Sequence, residues 1–289
     1  MDKWLRPGLK NLLQDSTYSD CRVVVGSEIF NCHKNILGVA SEFFNRLFLS
    51  SFKEAATDKV DLKDVTPETF KNFLEYIYTY DPKCLDEHDN NMLMDLLECA
   101  NKWLVPSLTG DGAKLLEKRA ESLTSIGQLI PIFGRVYDHI MNDQLTKNIS
   151  SMIRSICGAS VNCDEALLLS PDAFDHFLVT IEGTLPEIDR FNLLNLYVKI
   201  NGYQVNMDAD NASGASEDDA KATNTDVKAN EKFSINHNLS KSYVKQLIGR
   251  IDFTKMDIEE FYEGPRHSDL ITHDMKIEFM YDIILNKLN

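Results

Sequence analysis

Residues 20–48 read DCRVVVGSEIFNCHKNILGVASEFFNRLF, and the hydrophobic period changes inside this stretch in a way that decides the fold. Asp20 to Val25 is an apolar, β-branched run, Gly26-Ser27 is a turn pair, and Glu28 to Cys32 is a second short run. Together they predict a β-hairpin. Directly afterwards Ile36, Leu37, Ala40, Phe43, Phe44, Leu47 and Phe48 recur at helical spacing, and Ser41-Glu42 marks a fresh helix start partway along. The expectation is a hairpin followed by two short helices.

The residues that follow extend the pattern. Val60 to Leu62 reads as a short strand. At Thr66-Pro67-Glu68 a capping hydroxyl, a proline at the first helical position and an early carboxylate announce a helix N-terminus. Phe70, Phe73, Leu74, Ile77 and Tyr78 then form one stripe, the mark of a helix with one buried face, and Asp81-Pro82 ends it. A helix from about Asn90 carries Leu93, Leu96, Leu97 and Ala100 on to Trp103 and Leu104. Gly110-Asp111-Gly112 reads as an isolated turn, and another helix covers Lys114 to Arg119. A small sheet wrapped by helices is an α+β unit.

From Ser122 onward only helical stripes appear: Leu129, Ile130, Ile132, Phe133 and Val136, then Leu145, Ile149, Met152, Ile153 and Ile156. Ser170-Pro171-Asp172 and Glu187-Ile188-Asp189 are helix entries. The second half is therefore read as all-α, with short connections favouring antiparallel helix pairs. Its exception is 206–231, with seven acids against two lysines over Asp208 to Glu231 and almost no large apolar residue. Such a segment cannot bury enough surface to offset its ordering entropy and is expected to be a disordered insertion. Helical pattern resumes at Ser240 with Tyr243, Val244, Leu247 and Ile248. The organisation expected is a first domain over 1–120, a helical domain over 121–205 and 232–289, and the acidic insertion between.

Composition narrows the function classes. A formal net charge of -15 and a pI near 4.9 argue against a nucleic-acid partner, because such binding needs Lys and Arg to neutralise phosphates. No apolar run approaches the roughly 18 residues of a membrane span, and MDKWLRPGLKNLL at the N-terminus lacks the apolar core of a secretory signal. The expected location is the cytoplasm or the nucleus. Cys21, Cys32, Cys84, Cys99, Cys157 and Cys163 are scattered, without metal-ligand spacing, and are expected to be buried thiols free of disulfides and zinc. No nucleophile elbow, phosphate loop or supported carboxylate pair is present, so neither catalysis nor a cofactor is expected.

YSDCRVVVGSEIFNCHKNILGVASEFFNRLF, residues 18–48, resembles the BTB/POZ pattern of Asp-x-x-x-x-Val, a strand, His-(Lys/Arg)-x-x-Leu and Ala-Ser-x-x-Phe. Asp20, His33, Lys34, Leu37, Ala40, Ser41 and Phe44 stand in place. VDLKDVTPETFKNFLEYIYT, residues 60–79, resembles the next signature of that family. The second half is similar, more weakly, to a BACK domain, through LLLSPDAFDHFL (167–178), EIDRFNLLNLYVKI (187–200), RIDFTKMDIEEFYE (250–263) and SDLIT (268–272). Tyr197 stands where tryptophan is common, and Asp252 replaces the usual arginine.

This resemblance implies a BTB/POZ fold followed by a BACK-like helical domain, and an adaptor rather than an enzyme. It implies a homodimer whose seam would use Trp4, Leu5, Leu9, Leu12 and Leu13, the alternative being that these residues only cover their own domain's core. Many BTB-BACK proteins are substrate adaptors of cullin-3 ubiquitin ligases and carry a hydrophobic-x-Glu motif where Phe52-Lys53-Glu54 stands here. Phe52 would be the apolar anchor and Glu54 the orienting partner, with Phe48, Tyr78 and Tyr80 extending the face. Asp20 and Lys34 match a charged pair of the family and are read as neutralising one another, with His33 a satisfied core histidine. The alternative is a self-associating BTB scaffold or transcriptional co-regulator that binds no cullin. The substrate, expected to be a protein, cannot be read from these residues.

Overall fold

The computed structural model describes residues 5–49, 57–158, 164–202 and 237–288. They fall into two compact units, one of residues up to Leu123 with Arg135–Met152, the other of Thr124–Gly134 with the residues from Ile153. Trp4, Phe52, Glu54, Cys163 and the acidic segment 206–231 lie outside the described residues.

The first unit opens with helix α1 (Leu5–Asp15) and the hairpin of β1 (Cys21–Val25) and β2 (Glu28–Cys32). The strands pair antiparallel from Val25↔Glu28 to Cys21↔Cys32, leaving the two-residue loop that the sequence predicts. Gly26 turns that loop at φ 58°, where a side chain is rarely tolerated. Helices α2 (Lys34–Ala40) and α3 (Glu42–Leu49) follow, divided at Ser41. The Ser41 hydroxyl accepts from the Phe44 N–H at 3.1 Å, restarting the helix as the sequence indicates. β3 (Lys59–Leu62) runs parallel to β1 on its other edge, giving the order β2-β1-β3. β1 is thus the central strand, and Cys21, Val23 and Val25 all point into the core.

Helix α4 (Pro67–Thr79) begins at Thr66, whose hydroxyl accepts from the Thr69 N–H, and buries Phe70, Phe73, Leu74, Ile77 and Tyr78 as the stripe predicts. A short helix α5 (Lys83–Asp86), α6 (Asn90–Lys102) and α7 (Pro106–Glu121) complete the layer. Here one expectation is corrected: Gly110-Asp111-Gly112 is no turn but lies inside α7. A Cβ on Gly112 would meet Leu97 Cδ2 at 2.8 Å, so the glycine lets α7 approach α6 closely. Asp111 accepts the Tyr76 hydroxyl at 2.8 Å.

Helix α8 (Ile126–Arg135) passes into a π-helical turn, Val136–Ile140, and α9 (Asp143–Ile156) follows. Residues 135–152, read from the sequence as part of the second domain, cluster with the first unit. Named contacts hold them there: Arg135 reaches Asp95 at 2.7 Å and Glu98 at 2.5 Å, and Asn148 donates to Glu117 at 2.6 Å.

Among the described residues the second unit holds helices and no strand, with α10 (Pro171–Thr180), α11 (Glu187–Ile200), α12 (Lys241–Ile248), α13 (Ile258–Glu263) and α14 (His273–Leu288). Ser170 and Ser240 cap α10 and α12 as their hydroxyls predict. Tyr197 stacks on Phe174 with ring centroids 3.6 Å apart and donates its hydroxyl to the Leu169 carbonyl at 3.0 Å. Asp252 accepts from the Thr254 N–H and the Lys255 ammonium, which an arginine at this position could not do. Beneath it lies a buried ion pair. Arg190 donates to both carboxylate oxygens of Glu187 at 2.6 and 2.8 Å and to the Leu178 carbonyl, while Glu187 also accepts the Asp252 N–H.

Both side chains are almost wholly buried, at 1% and 4% exposure, so removing one strands the other's charge. Arg190→Ala is expected to destabilise the second unit by about 3–5 kcal/mol, whereas replacing both residues together by Met and Leu should recover most of that loss. Chemical denaturation of the three proteins decides this, and equal losses in single and double variants would remove the pair from the account. Alkali provides a second check, on the first unit. Burial pushes the Cys21 and Cys99 thiols up to about 12 from an ordinary 9.0. The unfolded chain sheds these protons first, so stability is fully present below pH 9 and should fall as pH rises from 9 toward 12. Cys21→Ala/Cys99→Ala should flatten that decline in urea titrations.

Candidate interaction surfaces

His33 and Tyr78 fix the junction between β2 and α2. Both are buried. The His33 N–H donates to the Tyr78 hydroxyl oxygen at 3.1 Å, His33 Nδ1 lies 2.7 Å from the same oxygen, and Nε2 lies 2.7 Å from the Thr17 carbonyl. A carbonyl can only accept, so Nε2 carries the proton and Nδ1 accepts from Tyr78. His33 is therefore a satisfied core residue, as expected. Burial raises the Tyr78 hydroxyl above its ordinary range. Tyr78, fully buried, cannot extend a partner-binding face, and that expectation is corrected: the helical stripe that made it conspicuous also carries it inward.

The Asp20–Lys34 pair is also rearranged. Asp20 accepts the backbone N–H of Lys34 at 2.8 Å, at the start of α2. The Lys34 ammonium goes instead to Asp58 and sits over the Phe48 ring, 5.8 Å from its centroid. Its pKa is raised by the Asp58 hydrogen bond. The pairing partner follows β1, not the sequence neighbour, because Asp58 immediately precedes β3 and its carbonyl accepts the Arg22 N–H. Phe48 is half-buried, stacked on Phe44 at 6.2 Å, and Tyr80 is half-buried at the left-handed end of α4.

α1 lies along α4. Arg6 pairs with Asp81 at 2.6 Å and Lys10 with Glu75 at 2.8 Å. No residue of α1 is buried. Leu5 is exposed, and Leu9, Leu12 and Leu13 are half-buried, so this stripe keeps apolar surface in solvent.

A depression of about 650 Å³ is lined by Val39 and Ala40 of α2, Glu42 and Asn45 of α3, and Leu104 to Pro106 at the start of α7. Val39 is 85% exposed and Leu104 47%. At the end of α6 the Val105 N–H reaches the Ala100 carbonyl at 2.8 Å, closing a Schellman turn around Leu104 at φ 54°. Glycine is the usual residue there, since a left-handed side chain costs about 1–2 kcal/mol. An exposed leucine held in such a conformation suggests that its side chain is wanted at the surface. Periodicity assigns Leu104 to the buried stripe of α6, so sequence reading missed it. The signal present was Val105-Pro106, which stops the helix just ahead.

Among the described residues no group of His, Cys, Asp and Glu could hold a metal ion, and no helix is long and apolar enough to cross a membrane.

Residues 9–120 match the family model of the BTB/POZ domain. They form a BTB/POZ domain, a three-stranded sheet wrapped by helices, and a helical region follows it. Over 115 residues, 40% of this chain, the sequence is 30% identical to Kelch-like protein 40 of Xenopus tropicalis and 31% identical to human Kelch-like protein 41. Human Kelch-like protein 6 is 28% identical over 174 residues, 60% of this chain and 27% of that protein. The chain spans 18% of the length of the first two of these relatives. A solved structure, the BTB domain of zebrafish PATZ1, aligns at a TM-score of 0.34 and 20% identity over 40% of this chain and 90% of that one. The chain thus carries a BTB/POZ domain and is similar over that region to part of several Kelch-like proteins.

Tyr78→Phe keeps the ring and removes the hydroxyl, leaving the His33 N–H and Nδ1 without their shared partner. A loss of about 1–3 kcal/mol is expected in urea unfolding, and an unchanged midpoint would show that the hydroxyl is dispensable.

Proposed function

We propose that this chain is a non-enzymatic adaptor of the cytoplasm or nucleus, a dimer that recruits a cullin-3 ligase scaffold through its BTB/POZ domain. The helical second unit, read as BACK-like, presents a protein substrate. The observation that carries this reading is Leu104, an apolar side chain kept exposed in a left-handed turn beside exposed Val39. The strain and the exposure both cost stability, and a docked partner burying the two residues offsets them. The depression is shallow and apolar at its rim, which suits a helix of a scaffold better than a small substrate. Phe48, near the end of α3, is half-buried against Phe44 and lies close in sequence to Phe52 and Glu54. The self-association part of the reading rests on α1, whose leucine stripe keeps part of its apolar surface in solvent while two ion pairs tie the helix to α4 and Asp81. An isologous apolar patch of this kind is how two-fold dimers form.

Leu104→Asn separates binding from folding, because asparagine tolerates the left-handed region. It is expected to leave unfolding within about 1 kcal/mol of the parent. Affinity for the cullin-3 N-terminal domain should fall at least about tenfold in biolayer interferometry, a change typical of losing one apolar anchor. Leu9→Asp/Leu13→Asp should shift sedimentation from dimer to monomer. Unaltered cullin binding by Leu104→Asn together with Phe52→Ala would remove the cullin face. A parent that sediments as a monomer would remove the dimer.

A further inference from the structure

Helix α14 packs on the second unit through one face. Phe279 stacks on Phe253 with ring centroids 4.2 Å apart, Ile283 is buried, and Asn286 donates to the Thr254 carbonyl at 3.2 Å. These contacts fix the rotation of the helix about its axis. With about 3.6 residues per turn, Ile277, Met280, Tyr281, Ile284 and Leu285 then fall together on the opposite side, at i, i+3, i+4, i+7 and i+8. All five are 40–61% exposed. A surface helix needs one apolar face to pack on its unit, and α14 carries a second that meets solvent.

That outer face leaves on the order of 500 Å² in solvent, the size of the largest apolar patch on a typical monomer and often a binding surface. Residues 206–231 have almost no large apolar side chain with which to cover it. The two edges of the stripe differ in charge. Asp274, Glu278 and Asp282 follow one edge, Lys276 and Lys287 the other. Three carboxylates against two lysines give no net attraction to an anionic lipid surface.

From the stripe and its two unlike edges we infer that α14 is a self-association face distinct from α1, pairing with α14 of a second copy of this chain, the two helices parallel about a two-fold axis. Such an axis sets the acidic edge of each copy beside the lysine edge of the other. An antiparallel pair sets acid against acid and lysine against lysine, which complementary interfaces avoid. A copy of the same helix brings both edges in matching order by symmetry, and the apolar stripes meet as one isologous patch. Face to face the two copies remove about 1,000 Å² from water, the smallest area of a specific interface, so the pairing is weak, with a Kd on the order of 10–100 µM. The inference uses α14 alone and depends neither on the α1 seam nor on the cullin reading.

In the full chain carrying Leu9→Asp/Leu13→Asp, which removes the α1 seam, sedimentation should give a monomer at about 1 µM and a dimer above about 200 µM. Adding Ile277→Asp/Ile284→Asp, at two exposed positions, should leave the urea midpoint in place and hold the chain monomeric throughout. A seam variant that stays monomeric to about 500 µM without these two changes overturns the α14 face. A dimer of equal strength with them present overturns it as well. Orientation is read with Leu9 and Leu13 intact, so it does not depend on the seam variant folding. Ile277→Cys/Ile284→Cys, treated with oxidised glutathione at about 200 µM protein, should give 277–277 and 284–284 disulfides between copies by peptide mass spectrometry, because a parallel pair sets each residue beside its own counterpart. Links of 277 to 284 between copies overturn the parallel pairing, and no link beyond those the parent forms overturns the face itself.

Discussion

Packing around Trp103 is the constraint on which the first unit depends. Its ring meets Phe73 at 4.7 Å, Phe44 at 5.7 Å and Phe70 at 5.8 Å, so α3, α4 and the end of α6 converge on one side chain. The Ser41 hydroxyl donates to the Trp103 carbonyl at 2.5 Å while accepting from Phe44, tying the break between α2 and α3 to the same point. Aromatic pairs in such edge-on contacts add about 0.5–1.5 kcal/mol each beyond the area they bury. β1 then has its core face covered along its length and becomes the strand that both neighbours must pair with.

Local chemistry made most of this legible. The hairpin loop, the break at Ser41 and the caps at Thr66, Ser170 and Ser240 each depend on one or two residues acting on backbone beside them, and all are seen. Misreadings arose where a distant residue decided the matter. Gly112 looks like a helix breaker until Leu97 is placed 2.8 Å from its missing Cβ. Lys34 looks like the counter-ion of Asp20 until β3 brings Asp58 beside it. In each case the competing information lies across a strand or a helix pair, beyond the reach of periodicity.

The second unit follows the same logic with a polar centre. Glu187 sits in the first turn of α11, where the helix dipole favours a carboxylate, and Arg190 one turn on closes over it. The pair also binds the Leu178 carbonyl at the end of α10 and the Asp252 N–H from beyond the acidic insertion. A buried ion pair contributes little net stability, but its geometry tolerates few alternatives. It joins α11 to Leu178 and to Asp252, residues far apart in the chain, at one buried polar centre.

The end of α6 brings a buried aromatic centre beside an exposed apolar side chain. Trp103 is buried, Leu104 lines the apolar depression, and Asn101 donates to the His139 carbonyl at 3.3 Å. The buried aromatic residue and the exposed leucine are adjacent in the chain, and the left-handed conformation of Leu104 makes that possible. A right-handed continuation would carry Leu104 onto another face of α6 and break the Val105–Ala100 bond. The strained conformation is therefore held by the same packing that fixes Trp103. Leu104 is thus presented at the surface by a turn whose shape the core has already determined.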